Sequence, residues 1–533
     1  MLSMVKRGKN NNIINYNYID YIIKTYVPEL VEDPKHEKVN MHIFRQAMQH
    51  SSTKKSPEDK TYERLEFLGD SIFHLVLTEY LYNRYDEENE GFLTRLRIRL
   101  ERGDSMAELT QILEIDEYLQ IHGAQINDSI MEDIFEAFIG AFYLNFGMAY
   151  TKIFIIHMIE MHKDLSELIN NDDNYKDLLL RYYHQMKWGH PIYEFEIVDQ
   201  NYISYVKDNK KKVIGIGKDF SKKKSEQKAS KNALEKLKVI VNGEVDSKWL
   251  EKVKDIMGPK EKEEKEIKKT ISIFNPSNEL LSKDIIKTLF ENYNVVYSDK
   301  IKTINLKVFN EAMTHKSYLR RKNLTDEDKK AEKGCVKLQP RSNERLQFLG
   351  DAIIHFIIGE YLYNKYPNEE EGFLTRLRCK LENQEFLFEL SKRSEICEFV
   401  LISQAIEVIH GRENISIISG GFEAFFGALF LEMGLKICKY LFVSILNKEM
   451  DIDELCDRIT NYKELILQLY NKKHWGVPEY KVIKEEGPDH MKTFNVGLYF
   501  NNKCIGKGTG SSKKKAEQIA AQKAYTHLLE FNR

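Results

Sequence analysis

Glu63-Arg64-Leu65-Glu66-Phe67-Leu68-Gly69-Asp70 and Glu344-Arg345-Leu346-Gln347-Phe348-Leu349-Gly350-Asp351 are one eight-residue phrase written twice, 281 residues apart, with Glu66 exchanged for Gln347. The duplication extends outward in both directions. Ala47-Met48-Gln49-His50 returns as Ala312-Met313-Thr314-His315, and the eight residues from Glu90 to Arg97 return unchanged from Glu371 to Arg378. Phe135-Glu136-Ala137-Phe138 returns as Phe422-Glu423-Ala424-Phe425, and Trp188-Gly189 as Trp475-Gly476. The offset grows from 265 at Ala47 to 281 at Glu63 and to 287 at Glu136. Copy two has therefore gained 16 residues, which fall in the polar stretch Tyr318 to Ser342 and are expected to form a loop, and six more before Glu423. A period this long marks a chain built from two like units.

Each unit has a longer helical part and a shorter basic part. Leu65, Leu68, Ile72 and Leu75 recur at three and four, the spacing of a buried helix face. Ile134 to Leu144 is apolar almost all round, as a central core helix would be. Tyr193 to Ile197 and Phe494 to Leu498 alternate, which predicts strands, and the basic parts close with helices over Ser221 to Val239 and Ser512 to Leu529. The expected boundaries are 12–165 and 277–450 for the helical domains, 172–241 and 458–531 for the basic ones, and 242–276 for a linker. Within it Glu251 to Lys269 is dense in Lys and Glu, a spacer or a solvated helix.

Composition limits the alternatives. With 42% hydrophobic residues the chain can fill packed cores. No uninterrupted apolar run reaches membrane-spanning length, so no membrane segment is expected. Met1 to Asn12 is polar and basic, and Ile13 to Ile23 is broken by Asn and Asp, which argues against a signal peptide. None of the six cysteines forms a Cys-x-x-Cys pair, which argues against zinc and a disulfide framework and for a reducing compartment, the cytoplasm first and the nucleus second. The net charge of −2 hides an asymmetry: residues 172–240 hold 15 basic against 10 acidic groups, and residues 460–533 hold 13 against 7. Two basic modules in an acidic chain suit anionic partners.

Glu66 and Asp70 are four apart on one predicted helix, and Asp133 and Glu136 three apart on another, so each pair shares a face. If the helices pack side by side, with Gly69 allowing close approach, four carboxylates converge. Such a cluster repels itself unless it holds a hard divalent cation, which can activate water and neutralise charge as a phosphodiester breaks. The plainer alternative is a set of surface acids paired with Arg64, Arg95 or Arg97.

The phrase from Glu63 to Ser71 resembles the signature of the ribonuclease III family, and the Ala47, Glu90 and Asp133 segments resemble its other blocks in the family's order. The resemblance covers most of the chain. It implies a mainly α fold: two all-helical endonuclease domains, each followed by a small α-β-β-β-α double-stranded RNA-binding domain. Paired nuclease domains would hold RNA in a valley. Glu66, Asp70, Asp133 and Glu136 would be the catalytic carboxylates and ligands of Mg²⁺, with Mn²⁺ able to replace it. Glu63 is expected to form an ion pair with a neighbouring Arg. In copy two the matching positions are Gln347, Asp351, Gly420 and Glu423, so two of the four carboxylates are gone and that site is expected to be inactive, its domain serving as pairing partner and RNA platform.

The basic modules resemble double-stranded RNA-binding domains, which read duplex shape. Lys513, Lys514 and Lys515 open the last helix behind Ser512, where the positive end of the helix dipole also favours phosphate. Pro488-Asp489-His490 matches a minor-groove turn, and Gln468 a first-helix contact. The first module keeps Lys222, Lys223 and Lys224 but has Asp199-Gln200-Asn201-Tyr202 at the turn and Arg181 on the first helix, which weakens its minor-groove contact. The resemblance therefore implies Mg²⁺-dependent hydrolysis of double-stranded RNA to 5′-phosphate and 3′-hydroxyl ends. An intramolecular pseudo-dimer would nick one strand, whereas a homodimer through two first domains would cut both. A non-catalytic binder of double-stranded RNA is the alternative from another class.

Overall fold

The computed structural model describes residues 13–56, 59–123, 125–170, 175–186, 188–198, 201–241, 244–245, 272–296, 299–321, 324, 326–452, 455, 462–473, 475–486, 492–500, 503–510 and 512–530. The chain divides into two compact units, one of Met1–Leu374 with Arg378–Glu449, the other of Thr375–Leu377 with Met450–Arg533. Glu251 to Lys269, read above as a linker, lies outside the described residues.

Copy one begins as an all-helical body. Its helices include Tyr16–Tyr26, Met41–Ala47, Glu63–Arg84, Glu90–Leu100, Gly103–Leu113, Asp128–Phe146 and Met148–His162. Asparagine starts four of them: the side chains of Asn15, Asn40, Asn89 and Asn127 accept from the N–H groups of Tyr18, His42, Phe92 and Ile130. These are groups the helix itself leaves unpaired. Leu65, Leu68, Ile72 and Leu75 are all buried, as their spacing requires. The Asp128–Phe146 helix runs through the centre, with Phe138, Phe142 and Phe146 packed among Phe44 and Phe154. It touches Glu63–Arg84 backbone to backbone. A Cβ on Gly69 would lie 1.8 Å from the Glu136 carbonyl oxygen, and one on Gly140 2.3 Å from that of Leu65.

Copy two repeats this arrangement in Glu344–Lys365, Glu371–Leu381, Gln384–Arg393, Ile415–Met433 and Leu435–Glu449. Gly350 and Gly427 stand where Gly69 and Gly140 stand, against the carbonyls of Glu423 and Leu346. Two stretches of this copy differ from what their composition alone suggests. The Ile415–Met433 helix is long and apolar enough to cross a membrane by length and composition. It is nevertheless a core helix, with Phe422, Phe425, Phe426 and Leu429 fully buried. The stretch from Tyr318 to Ser342 is more than a loop. It contains the helix Asp326–Ala331, and Tyr318 and Leu338 form a buried cluster with Ile273, Phe274 and Leu401. Its polarity hid two apolar anchors far apart in sequence.

The signature helices Glu63–Arg84 and Glu344–Lys365 pack against each other. Gly359 leaves room for Ser71, whose Oγ would lie 2.7 Å from a Cβ placed there. The arginines of the two phrases are exchanged. Arg64 donates to the carbonyls of Tyr363 at 2.8 Å and Tyr366 at 2.9 Å, and to that of Glu369. Arg345 donates to those of Tyr82 at 2.9 Å and Tyr85 at 2.8 Å, and to that of Glu88. Each guanidinium thus satisfies the last carbonyls of the facing helix, at the negative end of its dipole.

The basic parts are small layered folds. In the first, helices Tyr175–Gln185 and Lys222–Lys236 accompany the antiparallel strands Ile192–Val198, Asn201–Lys207 and Val213–Asp219 in order 1-2-3. Phe195 pairs with Ser204 across the first two strands. In the second, helices Tyr462–Lys472 and Lys513–Glu530 accompany Glu479–Glu486, Thr493–Phe500 and Lys503–Gly510 in the same order. Leu179, Tyr183, Val206, Ala229 and Ala233 make the first core; Ile466, Tyr470, Leu498, Ala520 and Ala524 make the second.

Candidate active site

The contact between Glu63–Arg84 and Asp128–Phe146 sets Glu66 and Asp70 beside Asp133 and Glu136. All four are half-buried. Burial first, and then Asp133, Glu371, Glu63 and Asp70, push the Glu66 carboxyl up to about 9. Burial, followed by Asp70, Glu66, Glu132 and Asp133, drives Glu136 well above the usual carboxylate range. Asp133 is raised by burial, although the Tyr62 hydroxyl donates to it at 3.0 Å. Asp70 behaves differently. Burial would raise it, but His355 and Arg378 outweigh burial and hold it low.

Arg378 Nη1 lies 2.7 Å from Asp70 Oδ2, and His355 Nε2 lies 3.5 Å from the same oxygen. Both residues belong to copy two. Of the arginines in the surface-pairing alternative, Arg64 serves the carbonyls described above and Arg97 faces Glu101 and Asp351. Glu63 does pair, with Lys54 at 3.3 Å, while the adjacent Arg64 is taken up by backbone carbonyls. Lysine reaches it because the Ser51–Thr53 turn delivers Lys54 beside the start of the signature helix.

A divalent metal fits this donor set. Among the described residues Glu66 and Glu136 have neither a cationic partner nor a hydrogen-bond donor, and both are raised first by burial and then by neighbouring acids. Hard carboxylate oxygens suit Mg²⁺ or Mn²⁺. Among the described residues no three such side chains close into a ready cage.

Copy two is built differently at the same place. Gln347 Nε2 donates to Glu423 Oε2 at 3.0 Å, and a Cβ on Gly420 would meet the Gln347 amide at 3.0 Å. The amide thus lies over the space beside Gly420 and ties up the remaining glutamate. Burial, then Asp351, pushes Glu423 up to about 8, against the pull of the Gln347 hydrogen bond. Asp351 faces copy one, 3.8 Å from His74 Nε2 and 4.0 Å from Arg97 Nη1.

Sequence reading missed Tyr62, Glu371, His355 and Arg378. Two signals were available. Tyr62 becomes Asn343 in copy two, the copy that also lacks Asp133, so the hydroxyl and its acceptor are lost together. Glu371 and Arg378 lie in the block that is identical in the two copies, for which the sequence offered no local use.

In the basic modules, Lys222, Lys223, Lys224, Lys513, Lys514 and Lys515 are all exposed at helix starts. Ser512 caps its helix by accepting from the Lys515 N–H at 3.3 Å, whereas Ser221 makes no side-chain cap bond. Lys222 lies over the Phe195 ring at 4.0 Å, and Lys513 lies 3.0 Å from Glu485 and 5.5 Å from the Phe494 ring centre. Lys223, Lys514 and Lys515 have no acidic partner among the described residues. Gln468 lies on the Tyr462–Lys472 helix. Pro488 and His490 lie outside the described residues.

Residues 63–147 match the Ribonuclease III domain, residues 305–449 the Ribonuclease-III-like domain, and residues 175–237 and 462–528 the double-stranded RNA binding motif. The protein is 59% identical over 532 residues to a "Probable ribonuclease 3" of Acanthamoeba polyphaga mimivirus, covering 98% of each chain. It is 37% identical over 220 residues to the "Ribonuclease 3" of Aliarcobacter butzleri, covering 41% of this chain and 90% of that one. A solved nuclease domain of ribonuclease III from Campylobacter jejuni is similar over 31% of this chain and 98% of its own, with 29% identity and a TM-score of 0.25. Dicer from Giardia intestinalis is similar over 73% of this chain and 55% of its own, with 13% identity and a TM-score of 0.37.

Proposed function

The chain belongs to the ribonuclease III family, and from that premise we propose that it is a Mg²⁺-dependent endonuclease that cuts one strand of double-stranded RNA at a single complete site. The nuclease domains are residues 12–165 and 277–450, and the RNA-binding domains 172–241 and 458–531. Glu66, Asp70, Asp133 and Glu136 hold the metal, with Mn²⁺ an adequate substitute, and the products end in 5′-phosphate and 3′-hydroxyl. When bound, the metal supplies a water activated for attack and charge neutralisation at the phosphate. The protein's own part is to present four carboxylates from two helices locked at Gly69 and Gly140, and to fix Asp133 with the Tyr62 hydroxyl. Lys222 to Lys224 and Lys513 to Lys515 attract duplex phosphates. Pro488, His490 and Gln468 are assigned to the minor groove.

The observation that carries this reading is the difference between the two copies. Copy one keeps four carboxylates, while Gln347 and Gly420 leave copy two with an amide bonded to Glu423. Intramolecular pairing is favoured over a homodimer because the signature helix of copy one already packs against that of copy two, with Arg64 and Arg345 exchanged.

A long duplex labelled on both strands tests the proposal. With Mg²⁺, fragments are expected on a denaturing gel and not on a native one. Fragments on both gels would mean cuts in both strands, from a homodimer or a live second site. No cleavage on either gel, with duplex binding intact, would leave a non-catalytic binder. Exchange of Asp70 or Glu136 for Ala should reduce cleavage more than about 100-fold, beyond the roughly 10–100-fold typical of an outer-shell partner, with duplex affinity unchanged.

A further inference from the structure

We propose that Arg378 and His355 of copy two are positioning residues for Asp70, so that the domain lacking a complete site is a working part of the complete one. The inference rests on the assignment of Asp70 to the metal site given above.

Eight polar groups meet where the signature helices cross. Asp70 Oδ2 takes both Arg378 and His355, and among the described residues Oδ1 has no protein contact. Behind them, His355 Nδ1 is held by Glu382 at 3.2 Å. The mirror set is Asp351 with Arg97 and His74, and His74 Nδ1 is held by Glu101 at 2.9 Å. The two imidazoles meet at 4.7 Å between ring centres. Each guanidinium lies over the signature phenylalanine of the other copy, Arg378 over Phe67 at 4.6 Å and Arg97 over Phe348 at 4.8 Å.

Three features make this a holding device for Asp70. First, Arg378 is immobilised: its side chain is 12% exposed and stacked on Phe67. Second, the mirror contacts are unequal. The arginine reaches 2.7 Å from Asp70 on the side with four carboxylates, but only 4.0 Å from Asp351 on the side with two. Third, Arg378 Nη1 is buried without an aligned hydrogen bond. Its hold on Asp70 is a charge contact at close range, which fixes one oxygen and leaves the other free to serve a ligand. Glu66, Glu132 and Glu136 repel an unheld aspartate, and the carboxylate would swing away from them. Outer groups that orient metal ligands in this way commonly change metal affinity or activity by about 10–100-fold when removed.

The mirror symmetry provides the control. Arg378→Gln and Arg97→Gln cut the same kind of contact in the same interface, but only the first touches Asp70. For the full-length protein we expect Arg378→Gln to weaken Mn²⁺ binding, followed by electron paramagnetic resonance of free Mn²⁺, and to slow single-turnover cleavage, each by about 10-fold or more. Arg97→Gln should leave both near the wild-type level, duplex RNA affinity should be alike in the two variants, and Arg378→Lys should recover part of the loss. Equal losses in both variants would reduce the network to a structural role and overturn the proposal. Wild-type behaviour of Arg378→Gln would also overturn it. So would tighter Mn²⁺ binding, the sign expected if Arg378 acted only as a nearby positive charge. Should Arg378→Gln fail to fold, His355→Gln against His74→Gln makes the same comparison. A wild-type protein that binds Mn²⁺ but cuts no duplex would refute the proposed function, while the Mn²⁺ comparison would still decide the role of Arg378.

Discussion

Glu66 is under electrostatic strain in the site, and the strain has a sign that can be measured. Its carboxyl is pushed up to about 9 by burial and by four other acids, whereas in an unfolded chain it would ionise near 4.3. The metal-free fold therefore holds a proton that the unfolded chain releases. Between those values, raising the pH favours the unfolded state, so stability attributable to Glu66 is lost as pH rises toward 9. Glu136 shifts in the same direction. Metal must displace these protons, so its affinity should rise with pH. The melting temperature without metal is expected to fall from pH 6 to pH 9, and Mg²⁺ should restore more of it at pH 9 than at pH 6. A metal-free melting temperature that rises over this range would contradict the assignment. At this scale the sequence was legible where residues share a helix: Glu66 with Asp70 and Asp133 with Glu136 follow from spacing, and their chemistry from the resemblance. It was silent on Arg378, whose contact with Asp70 spans more than 300 positions and depends on two domains docking. No local period encodes such a contact.

At the scale of elements, the site depends on how closely two helices approach. The 3.6-residue pattern around Leu65 and the apolar run from Ile134 gave both helices correctly, and Gly69 suggested their contact. Tyr318 to Ser342 was misread because anchors such as Tyr318 and Leu338 are separated by polar residues, and only the folded cluster with Phe274 and Leu401 reveals them. The helix contact makes a sharp prediction. A methyl group on Gly69 would lie 1.8 Å from the Glu136 carbonyl oxygen, which belongs to backbone and cannot rotate aside. Gly69→Ala must push the helices apart, with a loss at or above the upper end of the ~1–3 kcal/mol usual for overpacking. Because Glu136 would move away from Glu66 and Asp70, Mg²⁺ affinity should fall along with stability. Gly350→Ala meets the Glu423 carbonyl at 1.7 Å and should cost similar stability with a smaller loss of metal affinity. Urea unfolding together with Mn²⁺ titration separates the two. If Gly350→Ala weakened Mn²⁺ binding as much as Gly69→Ala, the helix contact of copy one would not be what shapes the site.

For the whole molecule, the question is why only one of two like domains keeps all four carboxylates, and whether the second set can be rebuilt. Copy two keeps the helices, the glycine contacts, Asp351 and Glu423, so the loss of carboxylates is confined to Gln347 and Gly420 and the two are coupled. An aspartate at 420 would have to push aside the Gln347 amide, which lies 3.0 Å from where a Cβ would sit and is bonded to Glu423. A glutamate at 347 would replace the hydrogen bond that lowers Glu423 with another carboxylate beside a group already raised to about 8. Each single exchange is therefore expected to fail. Made together, Gln347→Glu and Gly420→Asp remove the amide and restore four oxygen-donor side chains, and a divalent cation can then offset their repulsion. The double variant should bind a second equivalent of Mn²⁺ and convert nicks into double-strand breaks, giving fragments on native as well as denaturing gels. A second equivalent of Mn²⁺ without second-strand cleavage would direct attention to Asn343, which stands where copy one has the Tyr62 hydroxyl on Asp133. No second equivalent at all would mean that copy two has lost its site through more than these two residues, and that its retained role is to hold Asp70.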